Sequence, residues 1–210
     1  MKKSTLNFIL VMLLIASSTT FSYAQETVTI GKQTWMKKNL DVSRYRNGDV
    51  IPEVADLSTW VNLTTGAWCY YENKSDNGTT YGKLYNWYAV NDPRGLAPAG
   101  WHIPSDAEWT SLITFLNGTS VAGTAMKETG TSLWKSPNTG ATNSSGWAGL
   151  PGGARYDNGL FQSMGFSGSW WSSTSQDAIA WYREMVFNFG GIARNFYVKR
   201  GGFSVRCVRD

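Results

Sequence analysis

A chain of 210 residues with 19 Lys and Arg against 15 Asp and Glu carries only a small positive excess. That excess gives no argument for a nucleic-acid partner, and no arginine-rich run, RNA-binding signature or zinc-finger spacing supplies one. With 42% hydrophobic residues and eleven tryptophans, the composition excludes a disordered chain and demands a sizeable core, because so much aromatic surface has to be buried.

The N-terminus reads as an export signal. Lys2 and Lys3 form a basic start, Phe8 to Ala16 an apolar stretch, and Ser22-Tyr23-Ala24 a small-x-small cleavage site. The apolar run is too short to span a bilayer, and no cysteine follows it to carry a lipid. Residues 1–24 are therefore expected to be removed near Ala24. The mature chain, 25–210, is expected to be one soluble domain, secreted, periplasmic or at the cell surface, without membrane insertion. An exported chain with two cysteines, Cys69 and Cys207, permits a single disulfide between them, the other reading being two buried thiols.

Next along the chain, "VTIGKQTWM" suggests a hairpin about Gly31-Lys32. In "TTYGKLYNWYAVND", Tyr81, Leu84, Tyr85 and Tyr88 fall at helical spacing and predict a first helix. A second is predicted in "SDAEWTSLITFLNG", where Trp109, Leu112, Ile113 and Leu116 line one face and Gly118 occupies a C-cap position. Ser105 and Glu108 make an S-x-x-E capping box at its start, after Pro104, and Asp106 suits the positive end of the helix dipole. His102, the single histidine, lies between Trp101 and Ile103 and is read as a satisfied core residue. With one histidine and two distant cysteines, no zinc site of three or four N/S ligands can be assembled.

Residues 117–158 are dense in Gly, Asn, Ser, Thr and Pro and predict long ordered loops. The segments "SWWSSTS", "IAWYREMVFNFGG", "IARNFYVKRGG" and "FSVRCVRD" then read as consecutive short strands with Gly-Gly turns. In the second, Ile179, Trp181, Met185 and Phe187 are expected to share a face that Arg183 interrupts. Two helices with a compact antiparallel sheet make an α+β protein. No internal repeat or interdomain linker appears.

In order, "IGKQTWMKKNL", "WCYYEN", "TYGKLYNWYAV", "LAPAGWHIPSDAEWTSL", "GWAGLPGGAR", "WWSSTS" and "GFSVRCV" resemble the Fibrobacter succinogenes major paralogous domain family, over about Val28 to Asp210. The resemblance implies a C-type-lectin-like fold of the formylglycine-generating-enzyme branch, export, a bacterial source and no settled activity. It matches Cys207 to a structural cysteine of the last strand, so the copper-binding cysteine pair of formylglycine-generating enzymes is not expected. The Glu-Pro-Asn, Gln-Pro-Asp and Trp-Asn-Asp calcium motifs of lectins with this fold are missing from the sequence. The oxygen-rich "ENKSDNGTTYG" reads as an Asn/Asp-Gly turn. Phosphate-cradling loops and the G-x-S-x-G elbow do not occur. Asp56, Glu128, Asp157 and Glu184 could serve a glycosidase by residue type, but nothing in the sequence pairs them.

What survives is recognition. Aromatic faces and planar polar groups together bind sugars, and in lectin-like folds the long loops and late strands form the exposed face. The expected ligand-binding set is Arg155, Tyr156, Asp157, Asn158, Trp170, Trp171, Arg194, Asn195 and Tyr197, with no catalytic residues, metal or cofactor. Strand alternation turns one of Trp170 and Trp171 into the core. The expected partner is a glycan or a cell-surface protein, the rival readings being a polysaccharide-active enzyme and a structural domain of a surface assembly.

Overall fold

The computed structural model describes residues 26–210; the predicted leader lies outside the described residues. Strands β1 (Thr27–Ile30) and β2 (Gln33–Met36) form the expected hairpin, with Gly31 at φ 61° in its turn. Then follow helix α1 (Leu57–Trp60), β3 (Trp68–Cys69), α2 (Ser75–Tyr81), β4 (Leu84–Asn86), α3 (Trp87–Val90) and β5 (Trp101–His102). After α4 (Asp106–Phe115) and α5 (Ala122–Met126) come β6 (Gly152–Arg155), β7 (Phe161–Met164), β8 (Ser167–Gln176), β9 (Ile179–Val186), β10 (Ala193–Val198), β11 (Gly202–Phe203) and β12 (Val208–Arg209). The fold is α+β and rich in sheet, with short helices.

Two sheets organise it. The smaller has the order β1-β2-β12-β5, so the first described strands and the last meet in one layer. The larger runs β10-β9-β8-β6-β11-β4-β3, with β7 beside β6. Its pairings are antiparallel except β6 with β8, which meet in parallel at Gly153 and Gly168.

Helix α4 matches its prediction closely. Ser105 Oγ accepts from the Glu108 N–H, and Glu108 Oε2 accepts from the Ser105 N–H at 2.8 Å, completing the capping box. Trp109, Leu112 and Ile113 are buried. At the far end Gly118 N–H bonds back to Ile113 and Asn117 N–H to Thr114, which is a Schellman ending; its left-handed residue is Asn117, at φ 69°, one place before the glycine.

The other predicted helix does not form as one element. Gly82, at φ 72°, ends α2, and the chain then extends through β4, all three residues of which are buried, before turning into α3. A strand covered on both faces lacks alternation, so Leu84 and Tyr85 imitate one face of a helix. The loop-rich 117–158 region likewise contains α5 and β6. In β9 the buried residues are Ala180, Arg183 and Met185, so Arg183 belongs to the interior.

Strand β8 separates two cores. Trp170 packs with Trp35, Trp109, Trp134, Trp147 and Met185; the indoles of Trp35 and Trp109 lie 4.9 Å apart and those of Trp147 and Trp170 5.0 Å. On the opposite face Trp171 joins Tyr85, Trp87, Phe203, Val205 and Cys207. Trp60, Ala67, Cys69, Tyr71 and Leu84 make a third, smaller cluster. Buried cations tie loops to these cores. Arg206 stacks on Trp147 at 3.7 Å and donates to Asn39 Oδ1 and to the Trp147 carbonyl. Lys127 Nζ donates to the carbonyls of Thr139, Val186 and Phe189.

Candidate functional site

Each expected site residue has a definite place, and they divide into groups. Arg155 is 1% exposed; it donates to the carbonyls of Gly159, Val54 and Ala55 and lies over the rings of Trp60 and Phe161. Trp170 and Trp171 are both fully buried, their indole N–H groups donating at 2.8 Å to Asn39 Oδ1 and to the Tyr85 carbonyl. These three side chains are interior, correcting their assignment to a ligand face. Alternation does send the two tryptophans to opposite sides of β8, but the strand is central and both sides are covered.

Cys69 and Cys207 are free buried thiols, which corrects the expected disulfide. Cys69 lies at the β3 end of the large sheet within the smallest cluster, whereas Cys207 precedes β12 in the other sheet and packs in the main core. Burial in separate apolar surroundings pushes both thiols up to about 12. His102 also departs from expectation. It is 39% exposed at its side chain, with Nδ1 2.7 Å from Asp210 Oδ1 and Nε2 2.7 Å from Glu108 Oε1.

The remaining expected residues lie on the β9–β10 ribbon and the turn after β6. Strand register sets Asn195 beside Tyr182 and Tyr197 beside Ala180, with Tyr182 also beside Trp171. Because alternate residues share a face, Tyr182, Glu184, Asn195 and Tyr197 point the same way. Phe203 lies beneath, its ring 4.6 Å from Tyr182 and 5.6 Å from Tyr197. The chain leaving β6 brings Tyr156 edge-on to Tyr197 at 5.5 Å, and Tyr197 Oη donates to Asp157 Oδ1 at 2.6 Å. Arg200 reaches the other Asp157 oxygen at 3.5 Å, and Asn195 Nδ2 donates to Glu184 Oε2 at 3.1 Å. Asn158, exposed at the adjoining turn, accepts from the Leu160 N–H.

Arg194 is on the reverse face. It stacks 3.4 Å over Trp181 and bonds Asp106, which also receives Arg183. Tyr156, Asp157, Asn195 and Tyr197 therefore converge, Asn158 borders them, and Arg194 does not take part. Tyr182 and Arg200, which sequence reasoning missed, and Glu184, which it named only as an unpaired carboxylate, complete the cluster. Their signal is the β9–β10 register, which strand patterning alone does not fix when both faces of a ribbon carry aromatic residues.

The electrostatics of this face are mixed. The Tyr197 hydrogen bond outweighs burial and, with a lesser contribution from Arg200, holds Asp157 below the ordinary carboxylate range. Burial raises Glu184 despite hydrogen bonds from Ser167 and Asn195. Burial also raises Tyr182, with Glu184 adding to it, and pushes Tyr197 to about 12 with help from Asp157. At neutral pH the tyrosines are hydroxyl donors and Asp157 is an acceptor. Such a surface offers aromatic C–H contact beside directed polar groups, the requirement for holding a polyhydroxylated ligand. Among the described residues no group of three or more His, Cys, Asp or Glu side chains is arranged to hold a metal ion.

No curated protein and no solved structure matches the chain. The model of the Fibrobacter succinogenes major domain matches residues 28–209, nearly all of the described fold, and the chain belongs to that family.

Proposed function

We propose that this protein is an exported, non-catalytic binding module of C-type-lectin-like fold that engages glycans at a cell surface through the Tyr156–Asp157–Tyr182–Asn195–Tyr197 face. The observation carrying this reading is the convergence of three tyrosines, an amide and an ionised carboxylate on one side of the β9–β10 ribbon. The lectin-like assignment is supported by the sheet uniting the first and last strands and by the long ordered loops between α4 and β8. Export is supported by the basic, apolar and small-residue order of residues 1–24.

A glycan array probed with and without EDTA, followed by titration of the best ligand, tests this reading. Tyr156→Ala and Tyr197→Ala should each weaken binding by roughly a factor of five or more, the loss of about 1 kcal/mol expected when an aromatic contact is removed, and leave the folded state intact. Full affinity in both folded variants would move the binding face elsewhere. One observation favours the rival enzymatic reading: Asp157 and Glu184 share this face and their environments push their proton affinities apart, as in a carboxylate acid/base pair. Reproducible release of reducing ends from plant polysaccharides, abolished by Glu184→Gln, would replace the binding-only reading.

A further inference from the structure

Strand β10 ends the larger sheet, and its outer edge is open. Among the described residues, the backbone groups of Ala193–Tyr197 bond to β9 and to no other segment; at the strand's end the Val198 carbonyl alone is taken, by the Gly201 N–H of the following turn. Edge strands are ordinarily blunted by proline, a bulge, a charge on the edge or extreme shortness. β10 has six residues, contains no proline and keeps an uninterrupted register with β9. Its single charged side chain, Arg194, is drawn onto Trp181 and Asp106. The opposite end of the same sheet is the two-residue β3. Beside the open edge, Phe196 is 57% exposed, with only an edge-on contact to Trp181 at 5.7 Å.

We infer that β10 is a self-association edge, pairing antiparallel with β10 of a second copy about a two-fold axis through Phe196. The second copy is favoured over an unrelated strand because the segment is complementary to itself. A two-fold axis perpendicular to the sheet keeps like faces on one side, so residues pair with partners of the same parity. Centred on Phe196, it sets the exposed ring against its own copy, Arg194 against Val198 and Asn195 against Tyr197. Cross-strand aromatic pairs stabilise such contacts. The two Arg194 side chains are then four residues apart along the strand, roughly 13 Å, beyond the screening length at ordinary salt. Centring on Arg194 would instead oppose like charges.

The pairing uses backbone groups and the Phe196 face, so it does not depend on what Tyr156 and Tyr197 bind. It would nonetheless place two such faces side by side on one continuous sheet, the geometry from which avidity arises.

Sedimentation equilibrium of the purified protein provides the test. The apparent mass should rise toward twice that of the chain with increasing concentration, and Phe196→Lys should weaken self-association by roughly tenfold or more, as expected for a central aromatic contact. Circular dichroism should remain unchanged, since that ring contributes little to the core. As an independent readout, Phe196→Cys should give a disulfide-linked dimer under mild oxidation. Phe115→Cys, at a comparably exposed site on α4, should not. A monomeric mass at every concentration, a dimer that Phe196→Lys leaves intact, or equal crosslinking by Phe115→Cys would overturn the inference.

Discussion

Arg155 shows how one side chain type serves opposite ends. In the sequence it stands in "ARYDNG", beside residues that do form the exposed face, and only burial separates its role from theirs. Its guanidinium satisfies three carbonyls and covers two rings, so truncation leaves buried acceptors and a cavity together. Arg155→Ala is expected to destabilise the fold by about 3 kcal/mol or more in urea unfolding, with ligand binding lost only in proportion to the folded fraction. Selective loss of binding at unchanged stability would restore it to the ligand face. His102 makes a different prediction. Both its ring nitrogens face carboxylate oxygens, and only the imidazolium has two donors to offer. Burial works against the charged ring, but Glu108 and Asp210 outweigh it and the net shift is upward from 6.5. A raised folded-state value means that the stabilisation is fully present below about pH 6.5 and is lost as pH rises through the shifted value. Glu108, whose own value is lowered, contributes above its unfolded value and loses that contribution in acid. Urea midpoints across this range should therefore decline on the alkaline side, and His102→Gln should flatten that decline; an unaltered slope would remove His102 as its source.

The start of α4 was legible in the sequence because its chemistry is local. Ser105, Asp106 and Glu108 act within a few residues of one another, and α4 begins where they place it. Ser105→Ala should cost about 1 kcal/mol, measured as a lower urea midpoint without change in slope; an unaffected midpoint would deny the cap its role. The same region shows where local reading stops. Tyr81, Leu84, Tyr85 and Tyr88 satisfy helical spacing, yet the carbonyl of Leu40 would lie 2.8 Å from a Cβ added at Gly82, a constraint imposed by a segment forty residues away. Trp170 and Trp171 pose the same difficulty. Alternation assigns them to opposite faces of β8, but whether either face is open depends on Trp35 and Trp109 on one side and Tyr85 and Phe203 on the other. The candidate site was legible in part for a related reason. Tyr156 and Asp157 advertise themselves in a turn, whereas Tyr182 and Glu184 join them only once β9 and β10 are in register.

At the scale of the whole molecule, the two cysteines test whether the three clusters unfold as one unit. An expectation of export and a pair of cysteines made a disulfide attractive in the sequence, but the fold gives each thiol a separate apolar pocket, one beside Trp60 and Leu84, the other near Trp171 and Val205. Neither presents thiolate, since burial pushes both to about 12, and thiolate is the reactive form. Alkylation of the native protein must then await an opening event. If the sheets separate only in global unfolding, Cys69 and Cys207 should react at the same rate, and urea should accelerate both with the slope of the global transition. Cys69 occupies the smallest cluster, at the end of the large sheet, and is the residue that would reveal a partial opening: its reaction would outrun that of Cys207 and depend weakly on urea. Pulsed alkylation followed by peptide mass analysis separates these outcomes. Equal rates are expected, because the β4 register joins that cluster to β11 and the main core through Tyr85 and Phe203, so opening it exposes apolar surface in both. A fast, urea-insensitive Cys69 would show instead that the β3 end of the sheet folds as a separate unit.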